Sequence, residues 1–435
     1  MENNSFVNKF FNSSIKNYRQ LIFRNSGTDW TETFLKDAYN AVIAKQIGNL
    51  ISADYTPVLS YLNSDFYGLI NLRERLYEDF LSEYYSIDDT GINFFEDNGT
   101  FINGNYFKYR EYYKFVMEND FENNYKIIDS LIDVNNFINY TLFGIYAANY
   151  DWPWKNIKLY QSDDLDSKFR YLIHDMDWTY SLFDFKPNQD KMGLIVADTF
   201  SHVSLILMKF LQNNEFKKQF LIRAADLMNS VFKPDNMKFI LDSLANQIRD
   251  YIPLQQQRWE GSCLNWEEKI DEMKIFLDER PFYFMNNMNN HINNNQGVSE
   301  FSLKTYPNNS GTFKVNTINI DTSEWNGRYF QTLPITITAV PKHGMRFVKW
   351  NHDSLGTEPT ITTTLPEAII LEAIYENKNI NELDKSIVIN EIMYNADKNK
   401  DTKDWIELYN VGTKSVNLKG WSIIDEDTSH IKFVI

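Results

Sequence analysis

The sequence predicts an α+β chain: a long region of mixed helices and strands that ends all-helical, then two all-β stretches. Three observations carry this expectation. Helical and strand patterns alternate from Leu21 to about Ile292, with few prolines. From Ser204 to Ile292 the pattern is nearly all helical. From Val298 onward, β-branched and aromatic residues take over. At 435 residues the chain is too long for one ordinary core, so about two to four domains are expected.

Taken in order, a helix is expected from near Thr31 to about Gly48. Strands Pro57–Leu62 and Phe66–Leu72 flank Asn63-Ser64-Asp65, which reads as a hairpin turn. A helix around Arg75–Tyr85 follows. Val134, Phe137, Ile138, Thr141, Leu142, Ile145 and Tyr146 recur at helical spacing on one face, behind Asp133 as N-cap. Pro153 forbids any continuation of that helix. Ile157–Tyr160 and Phe169–His174 read as short strands around the polar turn Ser162–Lys168, with Asp163, Asp164 and Asp166 at its tip. The asparagine-rich run Met285 to Gln296 looks like the end of the first domain. Thr312–Ile320, Ile335–Val340, Arg346–Trp350 and Ala368–Ile374 are expected strands. A polar linker, Glu376 to Lys385, precedes a last β zone from Ser386.

Composition excludes several classes. Lys and Arg total 43 against 59 Asp and Glu, a net charge of −16, which argues against a general nucleic-acid partner. One cysteine, Cys263, excludes a disulfide framework and a cysteine-rich zinc module. With only six His, metal chemistry would use carboxylates, favouring Mg²⁺, Mn²⁺ or Ca²⁺. No stretch approaches the roughly 20 apolar residues needed to span a bilayer. Met1 to Asn12 carry no apolar signal-peptide core. Asp397-Lys-Asn399-Lys-Asp401 fails as a calcium loop, since Thr402 and Leu408 stand where Gly and a bidentate Glu are needed.

The chemistry-bearing residues are Asp151-Trp-Pro-Trp-Lys-Asn156 and His174-Asp-Met-Asp177. An acid follows a buried helix, an amide comes five residues later, and a hairpin returns the chain to an acidic pair. Phosphoryl transfer uses such a set: one carboxylate for the attacking hydroxyl, an amide and another carboxylate for Mg²⁺. The bland alternative stays open at this point, with Asp151 ending a helix, Asp175 and Asp177 on a solvated turn, and His174 a structural strand residue.

Linked motifs then point to a family. Phe23-Arg-Asn-Ser-Gly-Thr-Asp-Trp30, Phe66-Tyr-Gly-Leu-Ile-Asn-Leu-Arg-Glu-Arg75 and Asn149-Tyr-Asp-Trp-Pro-Trp-Lys-Asn-Ile-Lys158 resemble the CotH kinase family (spore coat protein H-like). So do His174-Asp-Met-Asp-Trp178, Arg258-Trp259, Trp266 and Phe276-Leu-Asp-Glu-Arg-Pro281. The resemblance covers residues 5–292. It implies an atypical protein-kinase-like fold lacking its first N-lobe strands, because only 23 residues precede Arg24. It also implies a phosphotransferase acting on a secreted or surface protein with ATP and Mg²⁺ or Mn²⁺. Asp151 is the implied catalytic base, Asn156 and Asp175 the metal ligands, and Asp177 an alternate or helper. Lys158 is implied to face phosphate. Where the family tends to continue with glycine, Thr179-Tyr180-Ser181 stands instead.

Residues 298–375, with Trp325–Phe330, Pro334–Pro341 and Gly344–Trp350, resemble a small bacterial surface β-repeat. Residues 386–435, with Val388–Tyr394, Asp404–Asn410 and Leu418–Trp421, resemble the start of a lamin-tail domain, an immunoglobulin-like sandwich of which about half is present. Together these imply a piece of a longer extracellular or cell-surface protein. The rival expectation is a non-catalytic surface scaffold or adhesion protein with a degenerate kinase core. A thermal-shift titration with ATP and Mg²⁺ separates the two.

Overall fold

The computed structural model describes residues 6–7, 10–11, 15, 17–180, 182, 186–342, 344–364, 367–377, 386–394, 405–413, 415–419, 421–424 and 433–435. The Asp397–Asp401 run and most of the expected linker lie outside them.

Two sheets frame the first region. Leu21–Arg24 and Tyr55–Leu62 pair antiparallel on either side of Asp65–Glu74. The expected hairpin forms. Its turn is Asn63-Ser64, both at positive φ (50° and 72°), which asparagine tolerates and which matches the strand twist. A second sheet runs Ile51–Ser52, Arg170–Ile173, Lys158–Ser162, Ile92–Glu96 and Thr100–Asn103, with only the first pair parallel. The expected strands around Ser162–Lys168 are therefore neighbours. Asp163 and Asp166 sit at their turn, bonded to Lys108 and Arg170.

The helix Val134–Tyr146 is buried along nearly its whole length, and Asp133 caps it by accepting from the Asn136 amide at 2.9 Å. Asn136 fixes it to the second sheet. Its side chain donates to the Asn49 and Tyr171 carbonyls and accepts from the Tyr171 amide, so the buried amide is fully used. The far end is held by Arg280, wholly buried in the long helix Trp266–His291. Its guanidinium donates to the carbonyls of Ile145, Tyr146, Pro187 and Gln189 at 2.6–2.8 Å. A cation at a helix C-terminus satisfies orphan carbonyls and complements the helix dipole. The Phe276–Pro281 motif therefore supports the loop that carries Asp151.

Several boundaries differ from expectation. The first α-helix is Lys36–Ile47 rather than starting near Thr31. Buried Asp29 accepts from the amides of Thr33, Leu35 and Lys36, holding the preceding residues in a tighter turn. The next helix is Glu78–Tyr85, and Arg75 stays outside it. Helix Val134–Tyr146, by contrast, has the expected bounds, and Ala148 turns the chain at φ 49° just beyond it. The helical pattern expected to about Ile292 does hold: the asparagine-rich run forms the last turns of helix Trp266–His291, because Met285 and Met288 are core residues. Thr312–Ile320 is two strands, Gly311–Val315 and Ile318–Ile320, broken at Asn316 (φ 46°).

Beyond Gly297, two four-stranded sheets form. One is Glu324–Phe330, Val298–Tyr306, Ile369–Asn377 and Met345–Trp350; the other is Ile318–Ile320, Gly311–Val315, Ile335–Pro341 and Thr360–Thr363. Alternate side chains, such as Phe301, Leu303, Phe313, Val315, Ile335 and Ile337, are buried. This unit is bonded to helix Asn214–Met228. Asp226 accepts from Tyr329, Asn316 and the Thr317 hydroxyl at 2.7–3.0 Å. Past Ser386, Ile387–Met393 pairs with Trp405–Asn410, and Ser422–Ile423 with Phe433–Val434. Among the described residues, no single helix is long and apolar enough to cross a membrane.

Candidate active site

The two acidic loops are laced together by backbone bonds. The Tyr150 amide donates to the Trp178 carbonyl at 3.0 Å, and the Tyr180 amide to the Ala147 carbonyl at 3.2 Å. Helix Lys36–Ile47 grips the second loop: Asp37 accepts from the Met176 amide at 3.0 Å, and Asn40 donates to the Met176 carbonyl at 2.9 Å. Tyr180, in the stretch where glycine was expected, takes φ 47° and donates its hydroxyl to Asn40. On the other side Trp152 is buried against Gly144, where a Cβ would come within 2.8 Å of the indole. That contact accounts for a glycine inside a helix.

Three of the residues singled out in the sequence are thereby brought together. The Asn156 side-chain amide lies 3.4 Å from the Asp151 carboxylate and 3.3 Å from the Asp175 carbonyl. Asn156 and Asp175 both stand at positive φ, 60° and 51°. Non-glycine residues persist in that region where surrounding contacts over-determine them, as at ligand-holding sites.

Arg24 gathers the carboxylates. It is hydrogen-bonded to Asp175, lies 3.3 Å from Asp177, and its Nε is 3.7 Å from Asp37. Arg73 from the adjacent strand also pairs with Asp37. Asp177 is nearly enclosed, accepting from the Thr28 amide at 2.6 Å. Gly27 (φ 58°) permits this, since any Cβ there would fall on the Asp177 carboxylate and the Arg24 guanidinium. Burial pushes the Asp175 carboxyl up to about 6, against the pull of Arg24. Burial also raises Asp151, with Lys155 opposing, and drives His174 down to about 3, leaving a neutral imidazole.

Lys158 is buried. Its ammonium donates to the Leu76 carbonyl at 3.1 Å, lies 3.3 Å from Glu96, and sits 3.8 Å from the Tyr77 ring centre. With Arg24, Arg73, Arg75, His174 and Asp175 it lines a cavity of about 160 Å³. Asp37 and Glu74 line it too, so four cations face three carboxylates there, and Arg24, Arg73 and Lys158 are already ion-paired. Sequence reading passed over Arg73, Arg75 and Asp37 and gave Arg24 no role. The only available signal was the presence of Arg24, Arg73 and Arg75 in the linked motifs.

Among the described residues, no group of three or more His, Cys, Asp and Glu is arranged to hold a metal ion. Asp37, Asp175 and Asp177 face Arg24 instead. Asp175 Oδ2, however, accepts no hydrogen bond from the described residues.

No curated protein matches the chain. Among solved structures, that of a Helicobacter pylori proinflammatory kinase, CtkA, aligns with 61% of this chain and 88% of its own, at 9% identity and a TM-score of 0.31. That likeness is too distant to carry an assignment. The family model described as Lamin Tail Domain matches residues 383–435. The one described as CotH kinase protein matches residues 1–284, well over half of the sequence. The chain belongs to the CotH kinase protein family.

Proposed function

We propose that the chain moves the γ-phosphate of ATP to a hydroxyl of a secreted or surface protein, with a divalent metal ion. The observation that carries this reading is that the Asn156 side-chain amide lies within hydrogen-bond distance of both the Asp151 carboxylate and the Asp175 backbone carbonyl. In this role the Asp151 carboxylate accepts the proton of the attacking hydroxyl. The hydroxyl oxygen bonds to the γ-phosphorus, the bridging P–O bond breaks, and ADP leaves. Asp175 and the Asn156 amide oxygen would hold Mg²⁺ or Mn²⁺, with Asp177 braced behind them. The donor set fits, because Mg²⁺ with a nucleotide is commonly held by one or two carboxylates plus phosphates and water rather than by a closed protein cage. When bound, the ion supplies neutralising charge to the β- and γ-phosphates. Lys158, with Arg24, Arg73 and Arg75, would contribute the protein's own positive charge around the cavity.

In this reading residues 5–292 are the kinase-like unit, 298–375 a surface β-module, and 386–435 an immunoglobulin-like lamin-tail module. The test is transfer of radiolabelled γ-phosphate with Mg²⁺ or Mn²⁺. Equal labelling by the chain and by Asp175→Ala would reject the assignment. One feature favours the alternative of a non-catalytic surface scaffold: Arg24 already neutralises the carboxylates a metal would need. The absence of any thermal shift at millimolar ATP and Mg²⁺ would favour that alternative.

A further inference from the structure

The reading above requires Asp151 to be held still, and one side chain packed behind its loop has no role in it so far. Lys191 opens the helix Lys191–Ala197 and is wholly buried. Its ammonium has no hydrogen-bond partner among the described residues. It lies 4.5 Å from the Trp154 ring centre and 6.0 Å from that of Trp152, the two indoles of the Asp151–Asn156 turn. An ammonium buried without hydrogen bonds is expensive, and a position needed only for packing would take methionine or leucine.

The charges facing it are few. Asp151 comes from the turn, Asp198 from the end of the same helix, and Arg280 from helix Trp266–His291. Asp190, next in sequence, is engaged by His291 at 2.6 Å and by the Gly193 amide at 2.8 Å. The turn is also tied from below, where the Ser201 hydroxyl donates to the Pro153 carbonyl at 2.5 Å.

We propose that Lys191 is a positioning residue: its ammonium, seated on the face of Trp154 and attracted by Asp151, holds the Asp151–Asn156 turn in its transfer-competent place. This rests on the phosphotransferase reading for its consequence, but not for its physical content. Burial lowers the Lys191 ammonium to about 7, with Asp151 opposing, so its charge changes near neutral pH.

The experiment uses the full chain and Lys191→Met, which keeps volume and removes charge. Melting temperature should stay level or rise, because an unpaired buried charge is gone. Turnover should fall at least about tenfold with the KM for MgATP nearly unchanged, since ground-state binding is untouched. Unchanged turnover in Lys191→Met would overturn the proposal. A second readout needs no activity: the fluorescence of Trp154, taken as the difference between the chain and Trp154→Phe, followed from about pH 5.5 to 8.5. A step near neutral pH that vanishes in Lys191→Met supports the proposal, and a flat difference overturns it. If the unaltered chain transfers no phosphate, the phosphotransferase reading fails while the fluorescence still decides whether Lys191 charges Trp154's surroundings.

Discussion

Replacing Arg24 with methionine isolates the electrostatic centre of the site. The Arg24 side chain is 24% exposed, and its partners Asp175, Asp177 and Asp37 are 26%, 7% and 10% exposed. Removing one member of a mostly buried ion pair costs about 3–5 kcal/mol, and the partial exposure of Asp175 places this case near about 3 kcal/mol. The loss should depend on pH. Asp175 titrates at about 6 in the folded chain. Its unfolded value is near 3.9, so the native state binds the proton more tightly. Its protonation therefore favours the fold below about pH 4, and that contribution fades as pH rises through 6, by about 3 kcal/mol in all. Without Arg24 the carboxyl rises further, and at pH 5 protonation relieves most of the repulsion. Urea denaturation in EDTA should show Arg24→Met destabilised by about 3 kcal/mol at pH 7.5 and by clearly less at pH 5. An equal loss at both pH values, or none at either, would refute the reasoning.

Further outcomes follow from the same contacts. Asp226→Leu strands the donors of Tyr329, Asn316 and Thr317, so a loss of about 2–4 kcal/mol and faster proteolytic release of the 298–375 unit are expected. Gly27→Ala combines a positive φ with a collision at Asp177, and should lower the melting temperature through a loss of at least about 1–2 kcal/mol; an unchanged melt would contradict the packing. Lys158→Met should weaken ATP binding about tenfold in a thermal-shift or calorimetric titration, and undiminished affinity would remove Lys158 from the phosphate surface.

What the sequence made legible was local. The helix Val134–Tyr146 carries its own apolar face and its own cap, and the hairpin at Asn63-Ser64 carries its turn chemistry. The acid, amide and acid of the candidate site share one hairpin, so their proximity could be anticipated. Arg24 could not be placed, because it meets Asp175 across 151 positions of chain and through pairing with Asp65–Glu74. Asp29 resets the start of the first helix through bonds to amides up to seven residues on, a cap that spacing alone does not announce. The helical pattern read to about Ile292 continues into the asparagine-rich run, where Met285 and Met288 facing the core hold the helix to His291.

The measurement closest to the central claim is the electron paramagnetic resonance of Mn²⁺ with ATP in the presence of the chain. Immobilised Mn²⁺ should appear with the unaltered protein, persist in Asp163→Ala at the hairpin tip, and be lost in Asp175→Ala. Equal immobilisation by Asp175→Ala, or none by any of the three, would contradict the proposed role of Asp175 as a metal ligand.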